Sequence, residues 1–241
     1  MTNQRGTLAL VGAGEFLESM SEIDAALLER AGGKRVVVLP TASAPDGGDV
    51  PSRWAEMGVR HFAALGAQAE AVMALDRDGC HAPSNVEAVR QANLVYFSGG
   101  KPDYLLGTLN RTPLWGAVLA VLGQGGVLAG CSAGAMILGG WIPGRPSGGS
   151  LSIWLRAFGL VPNAVIIPHF DEIPRWVTGP LSWLRPRRST VIGIDGGTTL
   201  VGHPTGTLRG GDNWRVMGRG RVVVRAGGRQ REYREGQQVS V

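Results

Sequence analysis

Apolar residues in the first two-thirds of the chain fall into short unbroken runs, separated by longer stretches in which polar and apolar positions alternate with helical spacing. Thr7-Leu8-Ala9-Leu10-Val11-Gly12 reads as a strand buried on both faces. Arg35-Val36-Val37-Val38-Leu39-Pro40, positions 69–74, Leu94-Val95-Tyr96-Phe97 and Gly126-Val127-Leu128-Ala129 repeat that pattern. Between them the spacing predicts helices up to about residue 31, opened by the capping-box pattern Ser19-Met20-Ser21-Glu22, and over 51–65, 84–92 and 114–122. Near-continuous apolar strands that alternate with helices predict an α/β fold, a doubly wound and mostly parallel sheet with helices on both faces. After residue 205 the pattern changes to short alternating strands, Trp214-Arg215-Val216-Met217 and Arg221-Val222-Val223-Val224-Arg225, between glycine-rich turns. That change predicts a C-terminal antiparallel β extension over 205–241, part of one domain that spans 1–241.

Composition agrees with one core: 241 residues at 44% hydrophobic content can bury a single large interior. No apolar run has bilayer-spanning length, the N-terminal residues lack a signal-peptide pattern, and Cys80 and Cys131 make no disulfide framework, so a cytoplasmic protein without a membrane partner is expected. The formal net charge of +5 lies entirely in the tail, where eight arginines from Arg209 to Arg234 stand against Asp212, Glu232 and Glu235. Arginines alternating with valines describe the wet face of a ribbon, and no nucleic-acid partner is expected. Gly12-Ala13-Gly14 lacks the third glycine of a dinucleotide fingerprint, Leu17 standing in its place, and there is no P-loop. Cys80-His81 reads as a surface turn. No cofactor and no metal are expected.

Chemistry enters at Gly130-Cys131-Ser132-Ala133-Gly134. The segment follows an apolar strand and precedes the helix-like run Ala135-Met136-Ile137-Leu138, the sequence form of a nucleophile elbow. Flanking glycines allow the sharp turn, and the helix N-terminus behind Ser132 offers free N–H groups where an oxyanion would form. In an α/β sheet ligands bind beyond the carboxyl ends of the strands. Gly12-Ala13-Gly14-Glu15, Thr41, Ser98-Gly99-Gly100 and Ser132 all fall at such ends and should converge on one edge. A serine nucleophile needs a general base. His169, at the end of the run Ala164-Val165-Ile166-Ile167, is the best placed of four histidines; His61 lies in a predicted helix and His203 in a turn before Pro204. No Asp or Glu occurs between Asp103 and Asp171. The carboxylate that would orient the base is therefore sought downstream, Asp195 first, then Asp171 and Glu172.

Leu10-Val11-Gly12-Ala13-Gly14-Glu15, Leu39-Pro40-Thr41-Ala42-Ser43, Phe97-Ser98-Gly99-Gly100, Gly130-Cys131-Ser132-Ala133-Gly134-Ala135, Pro168-His169-Phe170 and Gly193-Ile194-Asp195 occur in that order. Over residues 8–200 the chain resembles the S51 serine peptidases, which include aspartyl dipeptidase (dipeptidase E) and cyanophycinase. The resemblance implies a class I glutamine-amidotransferase-like α/β fold, Ser132 as nucleophile, His169 as base, and an oxyanion hole of the Gly100 and Ala133 amides. Gly99 and Lys101 are expected at the substrate. In the cyanophycinase branch a triad glutamate follows Gly-Ile-Asp, and here that place is Gly196. Lys101, Pro102 and Pro168 stand where cyanophycinases carry other residues, so polymer-specific contacts are not expected and the substrate stays open. The first expectation is a serine peptidase acting on short peptides or isopeptide-like amides through an acyl-enzyme.

Two other functions compete: a binding or regulatory module that kept the pocket without the acid, and a Ser–His esterase or lactonase. Arg111, Arg145, Arg156 and Arg175 are candidates for binding a substrate carboxylate, with a surface role as the simpler expectation. The glycine-rich stretch 141–150 reads as a loop that covers the pocket or supports a homodimer contact.

Overall fold

Every residue of the runs at 7–11, 94–97 and 127–131 is buried, as expected of strands in the middle of a covered sheet. A computed structural model of the protein describes residues 6–144, 153–174, 186, 188–204 and 214–239. In chain order the elements are β1 (Thr7–Val11), α1 (Ser21–Ala31), β2 (Arg35–Leu39), α2 (Val50–Ala64), β3 (Gln68–Ala71), α3 (Arg77–His81), α4 (Pro83–Arg90), β4 (Leu94–Phe97), α5 (Pro102–Leu109), α6 (Pro113–Gly123), β5 (Val127–Cys131) and α7 (Ala133–Leu138). They continue as β6 (Gly139–Pro143), β7 (Trp154–Arg156), β8 (Val161–Ile167), β9 (Thr190–Ile194), β10 (Thr198–Gly202), β11 (Trp214–Gly218), β12 (Arg221–Ala226), β13 (Arg229–Arg234) and β14 (Gln238–Val239).

The larger sheet has the order β14-β11-β10-β1-β5-β4-β2-β3. From β1 to β3 its strands are parallel, and β10, β11 and β14 close the other side antiparallel. Side-chain alternation splits this sheet between two buried clusters. Ala9, Val11, Val36, Val38, Tyr96 and Cys131 pack with Ile23 and Leu27 of α1 and Phe62 of α2. Leu8, Leu10, Val37, Val95, Phe97 and Leu128 face the other way, onto α4 to α7. Helices thus cover both faces.

A second sheet of order β13-β12-β9-β8-β6-β7 adds Ile166, Ile192, Ile194, Val222 and Val224 to that latter cluster. Its presence redistributes the arginine-rich tail: β11 and β14 join the first sheet, and β12 and β13 the second. All three of Val222, Val223 and Val224 are buried, so on β12 the simple arginine–valine alternation of a wet ribbon gives way to a strand covered on both sides.

Several local expectations shift. The capping box at 19–22 does not form: Glu18–Met20 is a 3-10 turn, and α1 begins at Ser21 without a side-chain cap. Cys80-His81 belongs to a short helix that buries Cys80, not to a surface turn, because Asp76 caps it by accepting from the Gly79 amide at 2.8 Å. Residues 141–143 form part of β6 rather than a loop, while 145–152 lie outside the described residues. Among the described residues no single helix is long and apolar enough to cross a membrane.

Candidate active site

The parallel strands of the first sheet end at one edge, where backbone hydrogen bonds tie their following turns together. The Ser132 amide donates to the Val11 carbonyl at 3.1 Å, Ser98 to Leu39 at 3.2 Å, and Gly197 to Ala13 at 3.0 Å. The second sheet reaches the same edge through the turn from β9 into β10, which the Gly197 bond ties to Ala13, and within that sheet the Phe170 amide after β8 donates to Ile194 of β9 at 3.1 Å. The strand-end motifs do converge.

Ser132 stands between β5 and α7 with φ 50° and ψ −111°, a strained conformation for a residue with a Cβ. The flanking glycines make it attainable. A Cβ on Gly130 would lie 2.4 Å from the Gly134 carbonyl carbon, and one on Gly134 would lie 2.6 Å from the Phe97 carbonyl oxygen. Any larger residue would push the elbow off β4. Cys131, the residue before the serine, is fully buried as expected, and its thiol donates to Glu15 Oε2 at 2.8 Å. Burial and the neighbouring Glu15 charge push that thiol well above its ordinary pKa.

His169 leaves β8 in the left-handed region, φ 50°, and turns its ring toward the serine. Its Nε2 lies 3.3 Å from Ser132 Oγ, and its Nδ1 lies 3.4 Å from Glu172 Oε1. The Glu172 amide donates to the His169 carbonyl at 3.0 Å, closing the turn that brings the carboxylate round. Both contacts are long for hydrogen bonds, as often found in catalytic groups without substrate. Both side chains are open to solvent, 42% exposed for His169 and 69% for Glu172.

The three candidate carboxylates therefore fall in a different order from the expected one. Asp195 turns away from the histidine: its Oδ2 accepts from the Arg221 amide and from Arg221 Nε, each at 3.2 Å. Burial raises the Asp195 pKa and the Arg221 charge partly offsets the rise. Asp171 accepts from the Gly196 amide at 2.8 Å and fixes the turn after β9. Glu172 alone of the three has a hydrogen-bond contact with the His169 ring.

The Ser98-Gly99-Gly100 turn lies beside the elbow. Gly100 has φ 143°, and a Cβ there would lie 2.2 Å from the Ala42 carbonyl oxygen, so the turn can approach the β2 loop only as glycine. The amides on either side are committed, Gly99 to Glu15 Oε1 at 2.8 Å and Lys101 to the Ala42 carbonyl at 2.7 Å. Ala133 is the first residue of α7, so its N–H has no intrahelical acceptor. Gly99 is buried with its amide taken, whereas the Lys101 ammonium is at the surface, 3.6 Å from Asp46.

The remaining candidates fall elsewhere. His61 Nε2 pairs with buried Asp24 at 2.8 Å, behind the sheet, and His203 Nδ1 meets the Gly6 carbonyl at 2.9 Å. Arg156 lies over the Trp141 ring, 4.0 Å from its centroid, and Arg111 is exposed; Arg145 and Arg175 lie outside the described residues. Among the described residues no three His, Cys, Asp or Glu side chains cluster as a metal site. The place of Glu15 is barely marked in the sequence; its signal is a charged residue set between Gly14 and Phe16 at the end of a buried strand.

No curated protein matches the chain. A peptidase from an acI-B1 Actinobacterium has a similar structure, with a TM-score of 0.86 and 33% sequence identity, over 99% of this chain and 98% of that one. A protein designated peptidase E from Listeria monocytogenes EGD-e shares the fold at a TM-score of 0.59 and 18% identity, over 95% of this chain and 98% of its own. The model of peptidase family S51 matches residues 8–206. The chain belongs to peptidase family S51.

Proposed function

We propose that the protein is a serine peptidase that cleaves short peptides or isopeptide-like amides through an acyl-enzyme on Ser132. The observation that carries this reading is the strained serine with His169 Nε2 3.3 Å from its hydroxyl. His169 takes the Ser132 proton as Oγ attacks the scissile carbonyl, and the Gly100 and Ala133 amides receive the oxyanion. The imidazolium then protonates the leaving amine, and a water, deprotonated by the same ring, releases the acid and regenerates Ser132. Glu172 orients the ring and stabilises its charged form, the role the sequence leads one to expect of Asp195. Asp195 instead holds β12 to the end of β9 through Arg221. Lys101, the exposed cation beside the Gly100 turn, held loosely at 3.6 Å by Asp46, is where a substrate carboxylate would be met. Free, buried Cys80 and Cys131 suit a reducing compartment, and the reading places the enzyme in the cytoplasm.

The test is hydrolysis of a panel of dipeptides, isopeptides and activated esters by the wild-type protein and Ser132→Ala. Amide turnover that falls by about 10⁴-fold or more in the variant is the expected result. The exposed, 3.4 Å His169–Glu172 contact favours a second reading in which only reactive esters are turned over. Ester cleavage without amide cleavage would select it. A ligand that raises the melting temperature without any turnover would instead select a binding module.

A further inference from the structure

Glu15 is a carboxylic side chain only 6% exposed, set in the turn after β1 and directly behind the elbow. It accepts two hydrogen bonds, both at 2.8 Å: from the Gly99 amide and from the Cys131 thiol. These donors lie in the turns after β4 and at the end of β5. One immediately precedes Gly100, the other immediately precedes Ser132. Resting on the serine-peptidase reading above, we propose that Glu15 is a positioning residue that clamps the two halves of the oxyanion hole at a fixed separation.

Geometry supports the clamp from three sides. First, Gly99 packs closely between the carboxyl group and the nucleophile: a Cβ on it would lie 2.9 Å from Glu15 Oε1 and 3.4 Å from the Ser132 Cβ. Second, the Gly100 turn is gripped on both sides of the working amide, by Glu15 through Gly99 and by the Ala42 carbonyl through Lys101. Losing one grip lets the Gly100 N–H rotate about the other. Third, the next residue, Phe16, is held with φ 64°, unfavourable for an aromatic residue. Its ring is fixed among Tyr96, with centroids 4.9 Å apart, and Trp54, His61 and Phe62. The strained turn therefore has an aromatic anchor behind the sheet and a carboxyl group pointing through to the elbow.

A carboxyl suits the task because both of its oxygens accept, and the two turns present donors. No described hydrogen bond joins Glu15 to His169, so the clamp acts on the oxyanion side and leaves proton transfer to the histidine. Its loss should slow steps that build negative charge on the substrate oxygen, with little effect on the ground-state complex.

The experiment compares wild type, Ser132→Ala, Glu15→Ala and Glu15→Gln in the full-length protein. It measures the rate of Ser132 phosphonylation by a fluorophosphonate, kcat and KM on the best substrate, the pH profile and the melting temperature. In Glu15→Ala, phosphonylation and kcat should fall about 30-fold, with KM within about threefold and the pH midpoint unmoved. Glutamine, which keeps an acceptor for Gly99, should recover at least about tenfold of that loss. A purely structural role would lower the melting temperature and leave the rate per folded molecule unchanged, and that result overturns the proposal. Equal losses in the alanine and glutamine variants overturn it too. Should Glu15→Ala fail to fold, Cys131→Ala is compared with Cys131→Ser: the alanine variant should react about threefold more slowly, and equal rates overturn the clamp. Wild-type protein that does not label at Ser132 defeats the serine-peptidase reading itself, which is a different failure.

Discussion

Ser132 and His169 lie 3.3 Å apart, yet the parts of the molecule that hold them differ in almost every physical respect. The serine grows from a central strand in which all five residues are buried, between glycines that touch neighbouring backbone, with Glu15 behind it. The histidine leaves the second sheet into a solvent-exposed turn, and Glu172, the carboxylate beside its ring, is more exposed still. Interactions between exposed charges are weak and screened, whereas a backbone turn locked by close packing cannot drift without disturbing the core. Most of the catalytic power should therefore reside on the elbow side, in a preorganised nucleophile and oxyanion hole. On the proposed mechanism the base side should supply proton transfer with modest help from Glu172.

Among changes that leave Ser132 and His169 in place, breaking the buried side should have the largest effect. Gly100→Ala forces a Cβ toward the Ala42 carbonyl and displaces the proposed oxyanion donor, so kcat should fall by about 10²- to 10³-fold, read from steady-state kinetics at unchanged KM. On the exposed side, Glu172→Gln should cost only about tenfold or less in kcat/KM, because the ring keeps its turn and loses one long, solvated contact. Asp195→Asn sharpens the contrast: it weakens the tie to Arg221 and should lower the melting temperature, with a smaller loss of kcat/KM than Glu172→Gln. A larger catalytic loss at Asp195 than at Glu172 would restore Asp195 as the orienting acid.

How much of this was legible in the sequence follows the same division. The central strands were readable because β1, β4 and β5 are buried on both faces and leave an unbroken apolar signature. The elbow was readable because its glycines answer a local steric demand, and His169 because it ends a strand. The short helices α3 and α5 carried too few turns to show a period. The second sheet was hidden because strand pairing is a long-range property. The choice among Asp195, Asp171 and Glu172 depended on the path of one turn, set by the left-handed backbone of His169, which no spacing rule encodes. Glu15 stands in the sequence only as part of a glycine turn, since nothing local announces that a charged side chain will fold inward.

The smallest effect concerns the thiol within the elbow. The thiolate is the reactive form, and Cys131 is buried with its pKa raised well above 9.0, so alkylation at pH 8 should be negligible until the protein unfolds. The sign of the linked stability follows. The native state keeps this proton where the unfolded chain has lost it, so stability should fall as pH rises from about 9 upward, and Cys131→Ser should flatten that decline. Rapid alkylation of Cys131 in the native protein would mean that the elbow is far looser than its packing indicates.

The central claim is that Ser132 is an activated nucleophile. Its most direct test is reaction of the native protein with a fluorophosphonate, followed by intact mass and peptide mapping. The account predicts a single adduct on the peptide that carries Ser132, absent in Ser132→Ala and formed at least about 10³-fold more slowly in His169→Ala. An adduct on any other residue, or none at all in protein that hydrolyses a dipeptide, would contradict it.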